Sequence, residues 1–134
     1  MTTQLSQLKW GRVVVTALVV FVASFLLTFF IVTVYASILA FQARGAPDIA
    51  MITAFADQYA PWLGPISLIL FTFLGAQYIT RRVDNAVAFH GIALGLLVSL
   101  LNIVLDGLSL STLAVTILIV AAGWIGSMLR AKNN

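Results

Sequence analysis

Long apolar stretches alternate with short polar breaks along this chain. The first stretch, Val13 to Phe41, is unbroken for about 29 residues, whereas about 20 helical residues suffice to cross a hydrocarbon core. Three more follow, Trp62 to Thr80, Ala86 to Leu105 and Leu110 to Leu129. None shows the strict alternation of a membrane strand, which needs only about 10 residues. The pattern predicts an all-α, polytopic membrane protein. Its form is a four-transmembrane-helix bundle in a single membrane domain, 1–134, with spans of approximately 13–41, 62–80, 86–105 and 110–129. The excess length of the first span implies tilt or a protruding end. Its apolar part is too long for a cleaved signal peptide, so it reads as a retained span.

The breaks refine this picture. Met1 to Gln7 is polar and reads as a frayed end. Lys9, Trp10 and Arg12 then suit a membrane edge, with the indole at headgroup level and the cations in water or on lipid phosphate. The longest break, Gln42 to Ala60, opens with Gly45, Pro47 and Asp48, a turn with Asp48 as helix N-cap. Ile49 to Tyr59 reads as a short interfacial helix between the first and second spans, with Met51, Ile52, Phe55 and Tyr59 on one face. Pro61 is expected to end it, since proline lacks the N–H of the helix ladder. The second and third spans form a hairpin that turns at Val83-Asp84-Asn85, and Asp106-Gly107 turns the chain into the fourth span. Trp124 is a further interfacial anchor near the end of that span.

Composition excludes the soluble alternative. The chain is 62% hydrophobic and 8% charged, too few charges to cover a water-soluble particle, where about a quarter is usual. With four spans, Lys9, Arg12, Arg81, Arg82, Arg130 and Lys132 fall on one side, and only Arg44 falls on the other. The positive-inside rule then puts the N- and C-termini in the cytoplasm. So lopsided a distribution also argues against a dual-topology exporter, whose subunits insert both ways up. There is no cysteine, and the only acids are Asp48, Asp57, Asp84 and Asp106. A net charge of +3 without a basic, aromatic face points to membrane lipids as partners and excludes nucleic acid.

Each span carries a seam of small or hydroxylated residues spaced for close helix packing. The seams are Ala17, Ser24, Thr28, Tyr35 and Gln42 in the first span and Pro65, Thr72 and Ala76 in the second. They continue as Ala88, Gly91, Gly95, Ser99, Asn102 and Asp106 in the third and Thr112, Thr116, Gly123, Ser127 and Arg130 in the fourth. Ser24, Thr28, Ser99, Asn102 and Asp106 are the candidates for a polar path through the bilayer, since polar groups in a span are costly and often functional. The plainer reading has Asn102 bonding across to another helix and Asp106 starting the turn. His90, the only histidine, falls about 140° from the third-span seam at 100° per residue. Near the basic end it can bond a carbonyl or a headgroup, or titrate near neutral pH. Arg81 and Arg82 are candidate lipid-headgroup or topology residues. Gly91-xxx-Gly95 suits a contact with another span, or with a second copy of the chain.

No nucleophile elbow, phosphate loop, dinucleotide turn or metalloprotease pair occurs, and no acid lies in mid-span. The chain is therefore read as not an enzyme, with no catalytic residues, no cofactor and no metal. Leu74-Gly75-Ala76, Arg81-Arg82, His90-Gly91 with Gly95, and the opening Lys9-Trp10-Gly11-Arg12 together resemble a group of small, mostly uncharacterised bacterial four-helix integral membrane proteins. The resemblance implies a bacterial cytoplasmic (inner) membrane and brings no established activity. The expected role is an accessory, scaffold or assembly subunit, with other membrane subunits or self-association as further partnerships. The alternative is a small oligomeric channel or transporter for an ion or small solute.

Overall fold

The structure, a computed structural model, describes residues 8–81, 83 and 86–131, without the side chains of 130 and 131. The described residues form four helices, α1 (Trp10–Ala43), α2 (Ile49–Thr80), α3 (Val87–Asp106) and α4 (Leu110–Ala131). Each is long and apolar enough to cross a membrane. Runs of Leu, Ile, Val, Phe and Ala favour helix here because a helix satisfies its backbone N–H and C=O groups internally, as a hydrocarbon surrounding demands.

The helix ends follow local chemistry. Asp48 caps α2, its Oδ1 accepting the Ala50 N–H at 2.9 Å. At the end of α1, Arg44 turns left-handed at φ 50°, and the N–H groups of Arg44 and Gly45 donate to the Phe41 and Ala40 carbonyls at 3.3 Å. Gly107 closes α3 at φ +78°, a region open to glycine, and its N–H donates to the Ile103 carbonyl at 2.9 Å. The Asp106-Gly107 turn is thus where the sequence places it.

The separate interfacial helix over Ile49–Tyr59 is not seen. That segment is the first part of α2, which runs through Pro61 and Pro65 without interruption. The prolines remove the donors that would reach the Asp57 and Pro61 carbonyls. Spaced one turn apart, they open the ladder along one face only, and an apolar setting leaves the remaining backbone groups nowhere better to bond than the helix itself. Gly64 between them has open space beside it. Pro61→Ala restores a backbone donor and is expected to raise the thermal midpoint in detergent, read by circular dichroism. A lowered midpoint would mean that the packing requires the proline.

Helices consecutive in the chain run antiparallel. α3 packs most extensively on α4, α2 lies against both α1 and α4, and α1 meets α3 less closely. α2 and α3 touch across the short diagonal, which leaves α1 and α4 at opposite corners. Val13, Ala17 and Val20 of α1, Leu68, Ala76 and Ile79 of α2, Leu94 and Val98 of α3, and Ile119 of α4 form the core. Leu8 and Val83 close it at the basic end.

The helices are unequal. α1 has 34 residues and α2 has 32, against 20 for α3 and 22 for α4. At about 1.5 Å per residue, α3 spans roughly 30 Å and α1 roughly 51 Å. Gly75 faces both Val20 and Leu94, which sets these two at one level. From that level α1 runs on for about 11 residues more than α3, roughly 16 Å. Ser24 is the last buried residue of α1 and Ser67 the first of α2, so the far halves continue as a two-helix arm. Within the arm, the Tyr35 and Phe55 rings stack at 3.9 Å and 11°, and Tyr59 tilts against Phe55 at 4.7 Å.

Candidate functional site

The glycines of the third and fourth seams lie in helix contacts, whereas Gln42 and Asp106 at the ends of the first and third seams are exposed. A Cβ on Gly91 would strike the Gly123 carbonyl and the Ser127 side chain. One on Gly95 would stand 2.7 Å from the Val120 Cα. α3 and α4 therefore meet backbone to backbone at Gly91 and Gly95. Gly126, missed on sequence, packs in the same way on the Phe73 carbonyl of α2. Its signal was the Gly123-xx-Gly126 spacing, which gives α4 a second smooth strip turned from the first.

The candidate path residues divide between two places. Ser24 is buried, and its hydroxyl donates to the Val20 carbonyl at 2.8 Å; Thr28 donates to the Ser24 carbonyl at 3.1 Å. These hydroxyls serve their own helix. Ser99 and Asn102 are buried on α3, whereas Asp106 is exposed at its end. Among the described residues, no hydrogen bond joins Ser24 or Thr28 to Ser99, Asn102 or Asp106. Ser67, also missed on sequence, does reach another helix. Its hydroxyl donates to the Gly64 carbonyl at 2.8 Å and lies 3.4 Å from the Ser24 carbonyl of α1.

Among the described residues, the buried hydroxyls of Thr72, Ser99 and Thr116 have no hydrogen-bond partner. The contacts of Gly75 with Leu94 and of Gly95 with Val120 set the helix registers, and these bring the three within about a turn of one level. A buried hydroxyl without a partner costs about 1–3 kcal/mol, so this level is the weakest part of the core's polar accounting.

His90, one turn into α3 near the basic end and off the Gly91–Gly95 strip, is at 0% exposure. α3 buries two faces, because Leu94 and Val98 continue the His90 side while Gly91 and Gly95 meet α4. Enclosed in this way, His90 has no reach to a headgroup. Its Nε2 accepts the Lys9 backbone N–H at 3.2 Å, so the proton belongs on Nδ1, which donates to the Ala86 carbonyl at 2.9 Å. That carbonyl also accepts the His90 backbone N–H at 3.2 Å. One ring thus ties the start of α1 to the first turn of α3, and it satisfies a donor that the helix start leaves open.

Arg81 is exposed at the end of α2. Arg82 and Asp84 lie outside the described residues. Among the described residues, no group of three or more His, Cys, Asp or Glu side chains is placed to hold a metal ion. Protein-family models, curated proteins and solved structures yield no match to the chain.

Proposed function

We propose that this chain is a non-enzymatic integral membrane protein of the bacterial cytoplasmic membrane, with both termini in the cytoplasm, acting as an accessory, scaffold or assembly subunit. The observation that carries this reading is the far arm of α1 and α2. It outruns α3 and α4, and it presents Phe29, Phe30, Ile38, Phe41, Ile49 and Trp62 as exposed side chains. Exposed apolar surface of this extent suits another membrane-embedded helix. Photo-crosslinking residues placed at Phe30, Ile38 and Trp62 should each yield a discrete protein adduct in the native membrane, whereas Leu100, on the short helix α3, should yield only lipid adducts. Lipid adducts alone at all four positions would contradict the accessory role.

The second reading, a small oligomeric channel or transporter, draws on Thr72, Ser99 and Thr116, whose unpaired hydroxyls favour a hydrated level in the bundle. The tight α3–α4 contact weighs against a passage within one copy, so a pore would need several copies around an axis. Reconstituted liposomes are expected to show the same ion and solute leak for the native chain and for Asn102→Leu. Flux that depends on Asn102 would favour the channel.

A further inference from the structure

We propose that the basic end of the α1–α2 interface is a binding site for one anionic phospholipid, with the lipid phosphate on Arg12 and Tyr78. The inference rests on the membrane placement proposed above and is independent of the accessory role.

A groove of about 530 Å³ opens there between the two helices. Gly11, Arg12, Val15 and Thr16 of α1 line one wall, and Tyr78 and Ile79 of α2 line the other. Its chemistry changes along its length. Arg12 and Tyr78 are exposed and bring a guanidinium and a phenol to the groove. Val15, exposed one turn further along α1 on the side away from the basic end, adds an apolar wall, and Ile79 is buried beside Tyr78. Gly11 leaves the rim open, since a Cβ there would meet nothing within 4 Å. A phosphodiester fits the polar end because a guanidinium can hold two of its oxygens at once and a phenol can donate a third bond. An acyl chain fits the apolar end, which runs towards mid-bilayer. A free phosphate would use only the polar end, so the length and apolarity of the groove select a lipid.

Two other grooves sharpen the contrast. One runs over Trp10, Phe89, Leu96 and Leu100, the other over Ile92, Ile117, Val120 and Trp124. Among the described residues, neither is lined by a charged one. These suit acyl chains of any lipid, whereas the Arg12 groove can select by headgroup charge. Basic pockets between spans on the cytoplasmic side are suited to anionic headgroups for the same reason.

The test uses the full chain in neutral detergent, with phosphatidylglycerol or phosphatidylcholine added and bound lipid counted by native mass spectrometry. One phosphatidylglycerol should bind in clear preference to phosphatidylcholine. Arg12→Gln should lower its occupancy by roughly five-fold, the effect of one cation near a lipid surface. Val15→Trp keeps every charge but fills the groove, and should do the same. Lys9→Gln removes an equal charge from a side chain outside the groove and should leave occupancy unchanged. The proposal is overturned if Arg12→Gln binds like the native chain, if Lys9→Gln loses as much as Arg12→Gln, or if phosphatidylcholine binds equally well. It is also overturned if millimolar glycerol phosphate, the soluble headgroup, displaces the lipid, since the site would then serve a free phosphate. Thermal unfolding of each variant shows that it is folded. Flotation of the chain with vesicles separates failure of this site from failure of the membrane placement.

Discussion

Gly91→Val is expected to break the contact between α3 and α4, at a cost of about 3 kcal/mol or more. The first atom of any side chain at Gly91 meets the Gly123 carbonyl, and backbone cannot swing aside as a side-chain tip can. The helices must separate along their whole contact, the most extensive in the bundle. In lipid no hydrophobic force draws them back, because acyl chains are as apolar as leucine. The loss should appear as a thermal midpoint lowered by many degrees in bicelles, with Gly91→Ala between Gly91→Val and the native chain. Gly64→Ala is the control, because its added methyl meets nothing within 4 Å and alanine favours helix over glycine by about 1 kcal/mol. It should melt at or above the native temperature. Equal midpoints for Gly91→Val and the native chain would mean that α3 and α4 do not meet at this seam.

His90→Leu is expected to cost about 1–2 kcal/mol, because it strands the part-buried Lys9 N–H without its acceptor. The damage should be local. Hydrogen exchange at the first turn of α1 should quicken, while the middle of α4 keeps its protection. His90→Gln offers an amide oxygen to the same N–H and should recover part of the loss. If exchange at Lys9 is unchanged in His90→Leu, the tie between α1 and α3 is not made through this ring.

How far the sequence discloses this arrangement depends on how local each cause is. The α3–α4 contact is legible because Gly91, Gly95 and Gly123 matter through what they lack, and their spacing shows which strip of each helix is smooth. The Asp48 cap and the Gly107 turn are legible because each is decided within a few residues. The continuity of α2 is not, since Pro61 argues for a break on local grounds and only the apolar surroundings outweigh it. The burial of His90 is not legible either. It depends on α1 starting beside the first turn of α3, a contact between residues 81 apart in sequence. Among the described residues, no hydrogen bond joins Ser24 to Asn102, for a similar reason. Ser24 and Asn102 each look available on a single-helix wheel, but Ser24 spends its hydroxyl on its own helix. Ser67, which does reach across, lies off the strip that begins at Pro65. The lipid groove could not be read at all, because Arg12 and Tyr78 belong to different spans and only their antiparallel pairing brings them to one wall each of the same cleft.

The most direct test of the four-span placement is cysteine accessibility, made simple by a chain that has no cysteine of its own. Single substitutions Ala46→Cys and Leu108→Cys mark the two far-end turns, and Asp84→Cys marks the turn at the basic end. In intact spheroplasts, a membrane-impermeant maleimide should label the first two and spare the third, which should react only after the membrane is opened. Labelling of Asp84→Cys from outside, or protection of Ala46→Cys and Leu108→Cys, would contradict a bundle that crosses the membrane four times with its basic end in the cytoplasm.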